Sequence, residues 1–316
     1  MNNPLSTLWY KLTNNWVAIY RQRYGYSDDY LTLGQMLGWG AIGALNVPQV
    51  PYPTLLRVLR RNSIYPDFRY RHFTRPKADG SLRELVEPDE KLKRIQRKIL
   101  KTLLKNALIH PSAVGFRRKK STADHAWAHA GAATIITADI EDFFPQTKTY
   151  RVEAWWKSYF IEQPEAESAA RLLTLLTTYK GSLPQGAPTS PALSNILNYE
   201  MDAALERRVV ASGGQYTRYC DDMAFSWGGI GDVPADFETA VRSIVQEYGY
   251  HLHRWEVWNA HDEPELTGII LARHGGVELP DDVQQTIRRL ARSTSASDMA
   301  RLQGYRAYES MVKKRR

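Results

Sequence analysis

Apolar residues near the start of the chain recur at helical spacing. Leu5, Leu8, Trp9, Leu12, Trp16, Ile19 and Tyr20 mark one face, with Asn, Lys and Thr between them. The stripe predicts an amphipathic helix docked on the rest of the chain; a partner-binding face is the alternative. Pro48, Pro51 and Pro53 interrupt the pattern, and Pro53 suits the start of a helix through Leu55, Leu56, Val58 and Leu59. The period then changes to two. Phe68-Arg69-Tyr70-Arg71-His72-Phe73 alternates, Asp79-Gly80 signals a turn, and 82–86 returns as the second arm of a hairpin. Pro88 is expected to open a helix running through Leu92, Ile95, Ile99, Leu103 and Leu104. An apolar run over 134–140 predicts a short strand, and helices are predicted over 151–159 and 166–179. The Pro- and Gly-rich stretch 181–189 reads as a structured loop. Ser190-Pro191 then opens a helix carrying Leu193, Ile196, Leu197 and Met201 inward. Residues 215–227 read as two short strands bent around Cys220-Asp221-Asp222. A helix over 236–248, a strand-like segment over 266–271 and a basic, amphipathic helical tail over 281–316 complete the pattern.

Composition adds a partner class and a compartment. The formal net charge is +8, which favours an anionic partner, nucleic acid first among them; a merely basic enzyme is the plainer reading. Cys220 is the single cysteine, which excludes an intramolecular disulfide and a cysteine zinc site and suits a reducing compartment. The N-terminus lacks the pattern of a signal peptide. The most apolar stretch, 36–47, is too short and glycine-rich to span a membrane. A cytoplasmic protein with no membrane partner is expected.

The candidate chemistry is acidic. Asp221 and Asp222 stand side by side at a predicted bend, where like charges repel unless a cation neutralises them. Asp139 ends the apolar strand upstream. A solvated turn accounts for the pair, and a helix N-cap accounts for Asp139, if each is taken alone. Taken together, a strand-end Asp and a hairpin Asp pair can converge on Mg²⁺ when their strands are neighbours.

Four segments in this order resemble a family. Thr137-Ala138-Asp139-Ile140-Glu141-Asp142-Phe143-Phe144-Pro145 resembles the first catalytic motif of bacterial reverse transcriptases. Ser182-Leu183-Pro184-Gln185-Gly186-Ala187-Pro188-Thr189-Ser190-Pro191 is similar to their nucleotide- and template-positioning loop, and Tyr219-Cys220-Asp221-Asp222 to their YxDD box. The segment from Phe73 through Lys77 to Arg83 resembles the fingers hairpin that holds the incoming triphosphate. The resemblance implies an α+β right-hand polymerase with fingers, an antiparallel palm sheet and a small helical thumb. It places a helical extension at 1–64, fingers and palm at 65–275 and the thumb at 276–316. It further implies an RNA-directed DNA polymerase that copies a cognate noncoding RNA into cDNA from dNTPs, in antiphage defence. An effector protein or host factors would join it.

Residue roles follow from the same resemblance. Asp139, Asp221 and Asp222 would ligate two Mg²⁺ ions, with Mn²⁺ as a substitute and the Ile140 carbonyl as a further ligand. Lys77 and Arg83 would clamp the triphosphate, Phe144 would exclude a ribose 2′-hydroxyl, and Gln185 would contact nucleotide or template. Tyr219 and Cys220 would lie beside the primer terminus, Cys220 without acting as a nucleophile. Arg288 and Arg292 of the basic tail would follow the template–primer backbone. Tyr305 and Tyr308 read either as stacking or as core residues.

Within the family, Ser121-Thr122-Ala123-Asp124-His125-Ala126-Trp127-Ala128-His129 is similar to the retron NAxxH element, with His125 in place of Asn. His125 and His129 are expected to be structural or RNA-facing. Leu266-Thr267-Gly268 resembles the retron VTG element, and Arg254 stands where a lysine-rich segment is common. Cys220 departs from the usual retron Ala, which leaves a retron enzyme and another defence-associated reverse transcriptase both open. A noncatalytic RNA-binding scaffold and an RNA-dependent RNA polymerase are the alternative functions; the intact aspartates oppose the first and Phe144 the second.

Overall fold

The computed structural model describes residues 70–76, 82–159, 166–229, 233–259 and 261–314. The N-terminal stripe, the proline-broken segment, Lys77 and the Asp79-Gly80 turn lie outside the described residues. Strands β1 (Tyr70–Pro76) and β2 (Leu82–Pro88) come first, followed by helices α1 (Glu90–Thr102) and α2 (Thr122–His129). Strand β3 (Thr134–Ile140) leads into the one-turn helix α3 (Phe143–Gln146), then α4 (Thr149–Tyr159), α5 (Ala166–Thr177), α6 (Ser190–Leu197) and α7 (Tyr199–Val210). Strands β4 (Gln215–Tyr219) and β5 (Asp222–Trp227) are followed by α8 (Phe237–Glu247) and β6 (Leu252–Asn259). The short strands β7 (Glu265–Leu266), β8 (Ile269–Leu271) and β9 (Val277–Glu278) precede α9 (Asp281–Ala291) and α10 (Ala296–Lys313). The chain divides into two compact units, each made from two stretches. The first holds the described residues up to Leu108 and Phe144–Leu197; the second holds Ile109–Phe143 and the described residues from Asn198 onward.

In the first unit β1 and β2 form the expected antiparallel hairpin, with Tyr70 opposite Pro88 and Arg75 opposite Arg83. Helix α1 starts at Glu90, two residues after Pro88, the expected opening residue, which instead ends β2. Asp89 is its N-cap, accepting from the Leu92 N–H at 2.7 Å, because a side-chain oxygen satisfies a first-turn donor that Pro88 cannot. Gln96, fully buried on α1, donates to the Tyr70 hydroxyl (3.1 Å) and the Leu176 carbonyl (2.9 Å), tying helix, hairpin and α5 together. The loop at 181–189 is closed on itself and on β2. Ser190 Oγ donates to the Pro184 carbonyl (2.8 Å), and the Val86 N–H donates to the Gln185 carbonyl (2.9 Å). A Cβ on Gly186, whose φ is +130°, would lie 3.0 Å from the Val86 oxygen, so the loop needs glycine there.

The second unit is built on an antiparallel sheet in the order β4-β5-β3-β6. Strand β3 is central and buried over most of its length, which is why it reads as a near-continuous apolar run. Alternation sorts the residues onto two faces. Ile135, Thr137 and Asp139 share one face with Asp222, Ala224 and Ser226; Met223, Phe225 and Trp227 point to the other. On that other face Phe225 and Trp227 pack edge-on against Phe237 of α8. On the first face α2 lies over Thr217, Ala224 and Ser226, and its His125 ring comes 6.2 Å from that of Tyr219. Ala123 and Ala126 join Ile135, Ala224, Ile269, Leu271 and Val312 in one core cluster. Tyr308 is packed against this cluster, so of its two expected roles the structure carries the core one. No helix among the described residues is long and apolar enough to cross a membrane.

Three local expectations change. The helix opened at Ser190 is two helices, broken at Asn198, a buried residue whose Nδ2 donates to the Tyr250 hydroxyl at 2.9 Å. The segment 266–271 is a hairpin, not one strand: Thr267 (φ +48°) and Gly268 (φ +80°) form a two-residue loop between β7 and β8. Two positive φ values in succession are the mark of the tight turn that matches strand twist. The segment containing Arg254 is an edge strand, β6, that its polar composition hid.

Candidate active site

Asp139 and Asp222 are direct cross-strand partners on β3 and β5. Residues opposite one another in antiparallel strands share a face, with Cβ atoms about 4.5–5.5 Å apart, and like charges there destabilise the pair. Tyr219, opposite Asp222 on β4, and Arg254, opposite Asp139 on β6, lie on the same face. Asp221 sits in the two-residue loop between β4 and β5, where its carbonyl oxygen accepts from the Ile140 N–H at 3.2 Å. The β3–β6 register shifts between Asp139 and Ile140, a bulge of the kind that re-aims side chains at functional strand ends.

The electrostatics match this crowding. Burial, then the charges of Asp221 and Asp139, push the Asp222 carboxyl up to about 7, with Arg254 opposing them. Carboxylate oxygens gathered at this density suit a hard divalent cation in kind. Their placement is an opposed pair with a third carboxylate in the adjoining turn. Among the described residues no three His, Cys, Asp or Glu side chains form a ready-made metal group.

The turn that carries Asp221 has an unusual backbone. Of its two loop residues, Cys220 has a φ of +63°, a region that non-glycine residues seldom occupy. Burial pushes its thiol well above the ordinary range, which leaves it protonated and unsuited to nucleophilic attack. Sequence reading missed what surrounds this turn. Arg218 and Asp202 form a fully buried ion pair behind it, and Gly115 lies against its backbone. An arginine at a core position of β4 was the available signal for the pair, but its partner is on a helix that local pattern does not connect to the strand. Phe116, with φ +59° and its ring 6.2 Å from that of Tyr219, was also passed over.

His125 and His129 require a correction. Neither faces solvent; both are buried where α2 lies on the sheet. His129 hydrogen-bonds with Thr217 Oγ1 (2.8 Å) and Ser226 Oγ (2.7 Å), and His125 with Thr217 Oγ1 (2.6 Å). Burial lowers both pKa values, that of His125 to about 3, so the rings stay neutral in the core. Their spacing of four places both on one helix face, and that face turns inward; the structural alternative holds and the RNA-facing one does not.

The other expected residues are distributed between the units. Tyr219 is half-buried, and Arg288 and Arg292 are exposed on and just after α9. Phe144 and Gln185 are half-buried in the first unit, and Arg83 lies on β2 of that unit. Phe143, next to Phe144, is buried in the second unit and stacked on Tyr250.

The family model described as reverse transcriptase (RNA-dependent DNA polymerase) matches residues 75–255, more than half of the chain. The chain belongs to the reverse transcriptase family. Its relatives include the Retron Ec86 reverse transcriptase of Escherichia coli, 33% identical over 204 residues, covering 63% of this chain and 62% of that protein. The Retron Mx162 reverse transcriptase of Myxococcus xanthus is 29% identical over 252 residues, covering 69% of this chain and 51% of that protein. The chain thus spans half to two thirds of the length of these two relatives. Among solved structures, apo telomerase from Candida Tropicalis matches with a TM-score of 0.52 at 12% identity, covering 95% of this chain and 55% of that one. That likeness agrees with the right-hand polymerase fold expected of a reverse transcriptase.

Proposed function

We propose that this reverse transcriptase homologue is an RNA-directed DNA polymerase of the retron type, which copies a cognate noncoding RNA into cDNA. The observation that carries the proposal is Asp139 facing Asp222 across β3 and β5, with Asp221 in the adjoining turn, in a chain of this family. Asp139, Asp221 and Asp222, with the Ile140 carbonyl, would hold two Mg²⁺ ions, or Mn²⁺ in their place. When bound, these supply activation of a primer 3′-hydroxyl and charge neutralisation on the leaving pyrophosphate. The remaining roles belong to the protein. Lys77, Arg83 and Gln185 orient the dNTP, Phe144 excludes a 2′-hydroxyl by bulk, and Tyr219 and Cys220 border the primer end. Arg288 and Arg292 bind backbone phosphates in a salt-dependent manner.

The test is dNTP incorporation on a primed RNA, comparing wild type with the double variant Asp221→Ala, Asp222→Ala. Loss of incorporation in a folded double variant supports the proposal, and equal rates contradict it. Phe144→Ala is expected to admit NTPs; an unchanged preference for dNTPs removes the gate role. A further proposal, which rests on the family resemblance of the motifs alone, is that the cDNA serves antiphage defence together with an effector protein or host factors. Sequencing the co-purifying nucleic acid decides the branch. One RNA joined to a single-copy DNA fits a retron, and long repetitive DNA fits another defence-associated enzyme.

A further inference from the structure

Arg218 reaches the catalytic turn from behind. By alternation along β4 it lies on the opposite sheet face to Tyr219, Asp222 and Asp139. Its guanidinium is fully buried and bidentate on Asp202: Nε donates to Oδ1 (2.8 Å) and Nη2 to Oδ2 (2.6 Å). The Tyr216 hydroxyl donates to the same Oδ1 at 2.8 Å. The remaining arm, Nη1, donates to the Cys220 carbonyl at 2.8 Å. We propose that the buried Asp202–Arg218 pair positions the Asp221-Asp222 turn by fixing the Cys220 peptide; the inference rests on the polymerase reading given above.

Three observations carry it. Replacing a buried ion pair by apolar residues of similar volume is often neutral or stabilising, so stability alone does not account for this one. Cys220 occupies a left-handed φ, and a non-glycine residue persists there only when its surroundings hold it. The backbone of Arg218 is clamped as well. Its N–H donates to the Ser112 carbonyl (2.8 Å), and the Val114 and Gly115 N–H groups donate to its own carbonyl (2.8 and 3.3 Å). Gly115 is brought so close that a Cβ would lie 2.7 Å from the Cys220 nitrogen. The guanidinium also lies 5.4 Å from the ring centre of Phe143, four residues beyond Asp139. One side chain therefore links the turn bearing Asp221 to the segment that leaves Asp139.

Two variants of the full chain test this against wild type: Arg218→Lys, and the double Arg218→Met with Asp202→Leu. Each is measured for thermal unfolding, for kcat and KM of dNTP on a primed RNA, and for Mn²⁺ binding by the loss of the free-ion electron paramagnetic signal. The double variant is expected to melt cooperatively near wild type, with KM little changed. Its kcat and Mn²⁺ affinity are expected to fall by about 10- to 100-fold, as when a group that orients metal ligands is removed. Arg218→Lys keeps the charge, but one ammonium lacks the planar fork that serves both partners; it is expected to keep the melt and still lose kcat. If the double variant does not fold, Arg218→Lys carries the test alone. Unchanged kcat and Mn²⁺ affinity in a folded variant overturn the inference. If wild type incorporates no dNTP, the polymerase reading fails instead, and Mn²⁺ affinity alone decides the positioning role.

Discussion

The two faces of the β4-β5-β3-β6 sheet treat charge in opposite ways. On one face Asp202 and Arg218 are buried together, and the contacts of each are met by the other, by Tyr216 or by the Cys220 carbonyl. On the other face Asp139 and Asp222 are set directly opposite each other with Asp221 beside them, and Asp222 holds its proton up to about pH 7. The satisfied face gives a fixed backbone, and the crowded face stores repulsion that a cation relieves. A polymerase site needs both, because carboxylates held at productive distance repel one another and must be held by something else.

The largest effect should come from spoiling the satisfied face. Arg218→Ala leaves the Asp202 carboxylate buried without its partner and should cost about 3–5 kcal/mol of stability in urea unfolding. The double apolar replacement should cost far less. If Arg218→Ala proves as mild as the double variant, the pair is not buried in solution as described. On the crowded face, Asp221→Ala with Asp222→Ala should lower dNTP incorporation by at least about 100-fold, the upper end for losing a group that only orients a metal ligand, with cooperative melting retained. A smaller effect tests the junction of the two faces. Gly115→Ala drives a methyl into the Cys220 backbone and should destabilise by about 1–3 kcal/mol, since an overpacked site has no flexible atom to yield.

The smallest effect has a pH signature. The folded pKa of Asp222 is raised, so the folded state binds more protons than the unfolded chain between about pH 4 and 7. Stability from this group is therefore present below the unfolded pKa and lost as pH rises through the folded one. Asp222→Asn should stabilise the metal-free protein by about 1–2 kcal/mol at pH 8, once the shift is discounted for solvent screening. The gain should vanish toward pH 4 and shrink when Mg²⁺ is added to wild type. A variant equally stabilised at both pH values would show that repulsion is not the cause.

The crowded face was readable in the sequence and the satisfied one was not. Asp139, Asp221 and Asp222 are short acids at the ends of apolar, β-branched and aromatic runs, and strand bounds such as 134–140 follow from those runs and their breakers. The Asp202–Arg218 pair joins a helix to a strand, and no periodicity in one segment reports a partner in another. His125 and His129 stayed open between core and RNA for a related reason. A polar residue on a short helix reads as surface unless its core partners, here Thr217 and Ser226, are known. Strand β6 was missed because it is an edge strand with exposed polar residues on much of its length. The break at Asn198 was invisible because apolar spacing continues across it into Met201.

Asp139 gives the most direct test of the central claim, because it comes from a different stretch of chain than the Tyr219–Asp222 corner. Extension of a DNA primer on an RNA template should be measured for wild type and Asp139→Asn at matched folded concentration. A loss of at least about 100-fold in the rate of dNTP addition is expected; equal rates would contradict a metal-holding role for Asp139.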